Sequence, residues 1–579
     1  MFLKICEVLG LFDLPTAYIS LFSILWLPVL IVAVKLINNS HKNAYRVIAL
    51  IPTVNFVVFY ILNYTKGYPI TGILRYGPHL IAALVYCLAT LIISRSSKRV
   101  KPLVISGVLC VLISAFTAGV VLADSYAWHF GNFSHYSYEK SMAALIDELE
   151  QNYILSGYKG VDFEELRAVY IPLAAEAERN GDEVAFAYAV TNLCYEFHDG
   201  HLRQRYNDID LRNEVVMQMA GNDYGFSMIR LDDGSVIAML TDEESEAYAS
   251  GIRNGVVITS WDGVDIDTAV DGVRCLALGI RDYPAYPIEA NEDVMRPIYL
   301  AGQGGDTVEV GFIDEDGNEQ VVTVASQGSY CERLSAAIEP LTGKRCEEFG
   351  YACMLDDRTG YLCIPEEGYE DLLDLRAAMT DEYPEVRDLI ISRIEELKAQ
   401  EMETLILDLR DNDGGIDVVY EEIVALFTNE AFVTTGGFYN GTEFEASDNW
   451  IWSVEPDGRY SDLPVVTLVN CGCGSCGDIF ASYMSRCPNA TVMGITTTWG
   501  SAQTMGGQCL LSDGQIYVSY PVMATLDENG EVYLDAGPDR VSSVELDVRI
   551  PLDREAVEAL YNSDEDYELD FAVQYLADQ

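Results

Sequence analysis

Thr404-Leu-Ile-Leu-Asp-Leu-Arg-Asp-Asn-Asp-Gly-Gly415 decides how the rest of this chain is read. Its first half is short and mostly apolar, without polar alternation, as in a strand covered on both faces of a sheet. It then breaks into a polar turn closed by two glycines. Pro464-Val-Val-Thr-Leu-Val-Asn470 repeats the pattern, and Ala490-Thr-Val-Met-Gly-Ile495 gives a third strand. Helical segments at 384–400 and 418–428 lie between them. Strands alternating with helices over 346–579 imply an α/β domain.

The chemistry is expected where those strands end. The second strand runs into Asn470-Cys-Gly-Cys-Gly-Ser-Cys-Gly-Asp478, which leads into a helix at 479–486. A serine flanked by glycines at a strand-to-helix turn exposes its hydroxyl, and the N–H groups at the helix start favour an anion. Gly414 and Gly415 let a second backbone N–H approach the same point without an intervening side chain. Two such donors beside Ser475 make an oxyanion hole for acyl transfer. The spacing of Cys471, Cys473 and Cys476 also suggests a metal site, but zinc needs a fourth ligand from elsewhere. Small buried thiols in a tight turn are the preferred reading, so no metal and no cofactor is expected.

A serine nucleophile needs a base. The chain has six His. His201, in Phe197-His-Asp-Gly-His201-Leu, directly follows a stretch of helical periodicity over 137–197. A lysine base is the alternative, yet no Lys follows Ser475. Lys398 lies in a solvated helix pattern, and Lys344 is the other nearest candidate.

Between these parts, 222–327 changes period to strand-like runs with Asp-Gly and Gly-Asn turns. The order of a Tyr224-Gly225-Phe226 loop, a small-residue helix and a strand ending in Asp262-Gly263 resembles a PDZ domain. That resemblance implies a peptide added as an edge strand, its carboxylate held by the N–H groups of that loop.

The ordered set of helical cap, Asp199-Gly200-His201, PDZ-like domain, Asp408-x-Arg-x-Asn-x-Gly-Gly and Ser475-x-Gly-Asp resembles the C-terminal processing (tail-specific) family of serine peptidases. The resemblance spans most of 138–553 and implies a crotonase-like α/β catalytic fold. The branch with a Ser–Lys dyad carries Gly-Lys-Gly about 25 residues after the serine. Here Gly500-Ser501-Ala stands in that place, so the chain is similar to the tricorn-type branch, whose base is His. Carried over, Ser475 is the nucleophile and His201 the base. The N–H groups of Cys476 and of Gly414 or Gly415 form the oxyanion hole. That branch also uses a Ser just before the His, where this chain has Gly200, and a Glu near the C-terminus. Asp539, Glu545 and Asp199 are the candidates for the group that orients the imidazole. The substrate implied is a protein or peptide, cut near its C-terminal tail or in unfolded segments. The alternative is a catalytically inactive peptide-binding or sensing protein of the same fold.

Charge divides the chain. Lys+Arg number 36 and Asp+Glu 90, giving −54 overall. Residues before Asp124 carry net +8, and those from Asp124 onward carry −62. Such acidity excludes a nucleic-acid binder. Residues 17–37 and 102–123 are apolar over the length a bilayer core demands, and 47–62 and 77–93 reach it only with their flanks. A cleaved signal peptide fits less well, because more apolar runs follow the first. About four spans over 1–123 are therefore expected, with membrane lipid as a partner. The basic residues beside the spans place 124–579 outside the cytoplasm. A transporter is disfavoured because the spans carry no acidic residue of the kind that marks an ion path. Four parts result: membrane segment 1–123, helical cap 137–205, PDZ-like domain 222–327 and catalytic domain 346–579. The sequence leaves the oligomeric state open.

Overall fold

The strand Thr404–Asp408 lies in the middle of a six-stranded sheet. The order is Tyr351–Met354, Thr359–Cys363, Thr404–Asp408, Val465–Leu468, Ala490–Gly494 and Val548–Arg549. The first strand is antiparallel to its neighbour and the rest are parallel. Leu405, Ile406 and Leu407 are all fully buried, although successive side chains point to opposite faces. Both faces of the sheet are therefore covered, as an unbroken apolar run requires. The C-terminal helix Tyr567–Ala577 packs on the two central strands.

The computed structural model describes residues 38–39, 98–99, 129–273, 289–342, 346, 348–367, 384–535, 544–563 and 565–579. These fall into two compact units. The smaller holds the described residues up to Glu148 together with Gly506–Tyr517. In it His129–Asn132 pairs in parallel with residues 507–510, and Asn38–Asn39 pairs with Lys98–Arg99. The larger unit holds the central sheet, the cap from Leu149 onward and the antiparallel sheet that follows it in the chain.

The cap helices are set by their ends. Phe163–Asn180 starts at Asp162, whose carboxylate accepts the N–H groups of Glu164 and Glu165, and stops at Gly181 in a left-handed conformation. Asp182 caps Glu183–Tyr195 in the same way. Between cap and α/β domain, six strands from Ser227–Arg230 to Glu319–Ala325 form an antiparallel sheet. Tyr224 and Phe226 are buried ahead of its first strand. The N–H of Gly225 donates to Asp223 Oδ1 at 2.8 Å, so one donor of that loop is already taken.

The expected membrane-spanning part of the fold is corrected. Among the described residues no helix is long and apolar enough to cross a membrane. The cap helix of 18 residues illustrates why: acidic and basic side chains recur along it, from Glu164 and Glu165 to Arg179. Residues 17–37, 47–62, 77–93 and 102–123 lie outside the described residues. The placing of the protein in the cell membrane and the lipid partner rested on those runs, and that placing is corrected with them.

Arg410 holds the central sheet to the C-terminal helix. Its guanidinium has no solvent exposure. It donates to Asp408 at 3.0 and 2.6 Å, to Asp566 at 2.7 and 2.8 Å, and to Glu568 at 3.2 Å. Glu568 in turn accepts the N–H of Ile495, after the next strand but one, at 3.0 Å. One cation thus joins a strand end, a helix and a turn. Removing it would leave several carboxylates buried without their partner, so Arg410→Ala is expected to cost about 3–5 kcal/mol. The urea unfolding midpoint of the full chain reads this, and an unchanged midpoint would show the cluster to be dispensable.

Candidate active site

Because Thr404–Asp408 and Val465–Leu468 are adjacent and parallel, their carboxyl ends lie side by side. The two glycine-rich turns therefore interlock. Asp411 donates its N–H to Asn470 Oδ1 at 2.8 Å, and Gly474 donates to the Asn412 carbonyl at 2.8 Å. A Cβ on Gly414 would lie 2.7 Å from both Ser475 Cβ and the Cys476 nitrogen. Only glycine fits so close an approach, and Gly414 also has φ +88°.

Ser475 caps the helix Cys476–Ser485 with φ 59° and ψ −123°. This is a region that non-glycine residues rarely adopt. The strained turn leaves Ser475 half-buried between the strand and the helix. Cys476 opens that helix, so its N–H has no acceptor within the helix itself. The N–H of Gly414 donates to Asn412 Oδ1 at 2.9 Å and is spent there. Of the two glycines, Gly415 is therefore the one whose N–H can serve an oxyanion beside Cys476.

His201 comes from the residues after the cap, 274 positions before Ser475, and its Nε2 lies 3.0 Å from Ser475 Oγ. Its Nδ1 lies 2.8 Å from Ser501 Oγ. The Ser501 hydroxyl donates to Asp199 Oδ1 at 3.2 Å. A hydroxyl that gives its one proton to a carboxylate can only accept from the imidazole. Nδ1 therefore carries the hydrogen, and Nε2 presents its lone pair to Ser475. Asp199 is fixed by two further donors, the His201 N–H at 2.7 Å and the Tyr153 hydroxyl at 2.6 Å.

The surroundings keep this imidazole neutral. Burial lowers the His201 pKa to about 4, with the nearby Arg203 charge acting the same way. Asp478 accepts the N–H groups of Gly500 at 2.8 Å and Ser501 at 3.2 Å, which sets the backbone that presents Ser501. Burial raises the Asp478 carboxyl to about 7. The Trp499 ring covers Gly474, where a Cβ would come within 2.2 Å of it. Trp499 also stands edge-on to His201 at 6.3 Å between ring centres.

The three candidates for the orienting acid separate. Asp199 is in the network through Ser501. Glu545 is exposed, whereas His201 is buried, and Asp539 lies outside the described residues. Ser501 was not among the candidates. Its one signal was position, since it stands where the other branch of the family carries lysine. Lys398 is half-exposed beside Glu395 at 3.5 Å, and Lys344 lies outside the described residues. Lys159 is ion-paired with Asp535 and donates to the His198 carbonyl at 2.7 Å. Cys346 and Cys363 form a disulfide, while Cys471, Cys473 and Cys476 are free and buried. Among the described residues no group of His, Cys, Asp and Glu could hold a metal ion. A groove of about 960 Å³ runs along the cap helices and is lined by neither Ser475 nor His201.

Residues 358–539 match the family model "Peptidase family S41". No curated protein matches the chain. Among solved structures, a photosystem II D1 C-terminal processing protease is 16% identical, covers 74% of this chain and 98% of its own, and has a TM-score of 0.33. Mature CPAF complexed with lactacystin is 13% identical over 76% of this chain and 98% of its own, with a TM-score of 0.45. The tricorn protease is 15% identical over 76% of this chain and 37% of its own, with a TM-score of 0.33. The match to peptidase family S41 covers residues 358–539, and the chain is a serine-type peptidase.

Proposed function

We propose that Ser475 is the nucleophile, His201 its general base, and Ser501 with Asp199 the pair that orients the imidazole. The observation that carries this is the 3.0 Å contact between Ser475 Oγ and the unprotonated Nε2 of a buried histidine. The Ser475 proton passes to Nε2 as Oγ attacks a peptide carbonyl. The carbonyl oxygen takes up negative charge against the N–H groups of Gly415 and Cys476. The imidazolium that forms keeps its Nδ1–H on Ser501, whose hydroxyl stays on the Asp199 carboxylate. His201 then gives the Nε2 proton to the leaving amine, and water repeats the sequence on the acyl-enzyme.

Gly200 supports this assignment. A Cβ there would lie 3.2 Å from Ser501 Cβ and 3.6 Å from its Oγ. The hydroxyl that the tricorn-type pattern supplies from the residue before the histidine is supplied here from 300 residues later. The inactive-module reading rests on the missing serine before His201 and on the cysteine-rich nucleophile turn, and Ser501 answers the first of these. The substrate is a protein or peptide, cut near its C-terminal tail or in an unfolded segment. A carbonyl must reach a serine set among backbone turns, which an extended segment does more readily than a folded surface.

Three outcomes are expected. Ser475→Ala should abolish fluorophosphonate labelling and casein cleavage with an unchanged circular dichroism spectrum. Full retention of both would move the nucleophile elsewhere, whereas Lys398→Ala should leave both intact.

Ser501→Ala removes one hydrogen bond to a buried imidazole and should lower kcat roughly 10- to 100-fold. Adding Gly200→Ser to that variant returns a hydroxyl to the same space and should restore part of the loss. A Ser501→Ala enzyme with full kcat would remove Ser501 from the relay.

The acid limb of kcat/KM should be displaced from an ordinary histidine value near ~6.5 toward about 4. The sign follows from burial, because the folded protein resists protonating His201 until well below the point at which the unfolded chain binds that proton. The same shift makes stability fall as pH drops through that window. A limb centred near ~6.5 would show that the imidazole is solvated in the free enzyme.

A further inference from the structure

We propose that Glu367 is a positioning residue for the oxyanion loop, that it acts through Asn412 on Gly414 and Gly415, and that it does so as an uncharged acid. The proposal rests on Ser475 being the nucleophile. Glu367 lies beyond the strand Thr359–Cys363, outside both sequence motifs, and is fully buried.

Its contacts converge on the loop. Asn412 Nδ2 donates to Glu367 Oε1 at 3.0 Å and to the Ile364 carbonyl at 2.9 Å. With both amide hydrogens committed to acceptors, Asn412 can turn only Oδ1 toward the N–H of Gly414, which it accepts at 2.9 Å. A flipped amide would set a donor against a donor. The backbone of Glu367 holds the same loop from its other side. Its N–H donates to the Gly414 carbonyl at 3.0 Å, and its carbonyl accepts the N–H of Ile416 at 3.1 Å. A Cβ on Gly415 would lie 2.7 Å from the Glu367 carbonyl group and 3.0 Å from its Cβ. Glu367 and Gly415 are therefore in direct contact, and neither can move without the other.

The charge state follows from the surroundings. Glu367 Oε2 is buried and makes no hydrogen bond. The groups that face the carboxyl are Asn412 and Asp413 from the loop, Asp417 from the helix Asp417–Val424, and Cys473 and Cys476 from the nucleophile turn. None of them is a cation. Burial pushes both thiols up, so neither is a thiolate near neutrality. Burial is also the largest influence on Glu367 and raises its carboxyl to about 8, against the opposing hydrogen bond from Asn412. At neutral pH the proton stays on Glu367. In alkali it leaves, and a negative charge appears behind the loop on whose front face the oxyanion forms.

The test compares wild type, Glu367→Gln and Glu367→Ala as full-length proteins cleaving fluorescein-labelled casein from neutral pH into alkali. Gln keeps the acceptor and cannot ionise. Its kcat at neutrality should stay within about threefold of wild type, while the alkaline fall expected of wild type disappears. Ala loses the hold on Asn412, so its kcat should drop about tenfold or more with KM little changed. If Glu367→Ala does not fold, the Gln profile decides alone. An alkaline limb in Glu367→Gln that coincides with the wild-type limb overturns the proposal, and so does full kcat in Glu367→Ala. The rate of fluorophosphonate labelling provides the same comparison should casein not be cleaved, because its phosphoryl oxygen enters the same hole. Absence of any labelling in wild type would overturn the reading of Ser475. Labelling with an unmoved alkaline limb would overturn only the role of Glu367.

Discussion

The whole site depends on one buried cation. Arg410 has no contact with water, yet it meets carboxylates from the strand end, Asp408, and from the C-terminal region, Asp566 and Glu568. Burying a guanidinium costs several kcal/mol unless its donors are met, and here they are met by paired carboxylate oxygens. The result is directional rather than merely stabilising. Arg410 is the residue at which the strand turns, so fixing it fixes the chain that continues into Asn412, Gly414 and Gly415. Asp411 then hands its N–H to Asn470, which starts the neighbouring turn. Two strand ends that would otherwise carry independent loops share one geometry.

That shared geometry explains how residues scattered through the sequence meet in the proposed relay. The loop from the cap brings Asp199 and His201, and the turn after Ala490–Gly494 brings Ser501. Neither segment is anchored to the other by chain connectivity. Asp478, on the first turn of the nucleophile helix, accepts the N–H groups of Gly500 and Ser501, and Ser475 donates its own N–H to the Ser501 carbonyl at 3.2 Å. Ser475 and the hydroxyl proposed to orient His201 are thus held by one short backbone contact. Gly200 leaves room for that hydroxyl. The same physical requirement, one oxygen on Nδ1, is met from a different point in the chain, and the vacancy and its filler sit against each other.

Much of this was readable from the sequence because it depends on local patterning. A strand without polar alternation, a turn of glycines and a serine before a helix are short-range signals, and they led to the peptidase domain. His201 was singled out because histidines are few. Ser501 and Glu367 were not readable as relay and loop supports, since nothing in Thr498-Trp-Gly-Ser501 or Pro365-Glu-Glu367 marks a contact made across the fold. Of the three candidates for the orienting acid, Asp199 joins the hydrogen-bond network, Glu545 is exposed and Asp539 lies outside the described residues. The membrane reading failed for another reason. It rested on apolar runs that lie outside the described residues, and none of the described helices has the length and apolar character to cross a bilayer.

The strong negative charge of the chain makes the electrostatics of the site a problem of exclusion. The reaction creates a new anion on the carbonyl oxygen, and a neighbouring carboxylate opposes it. Two like charges roughly 5 Å apart at an effective dielectric of ~20 repel by about 3 kcal/mol, or roughly a hundredfold in rate. The structure avoids that opposition by burial more than by added cations. Asp478 and Glu367, two buried acids packed against the interlocked turns, are raised to about 7 and about 8. Asp199, the acid of the proposed relay, is set behind Ser501, where its charge favours the imidazolium. The imidazole itself is held neutral, so the proton it accepts adds a positive charge on the side of the oxyanion only as the reaction proceeds. Burial in this way lowers the negative charge that two of the neighbouring acids would set against the one atom whose charge must be stabilised.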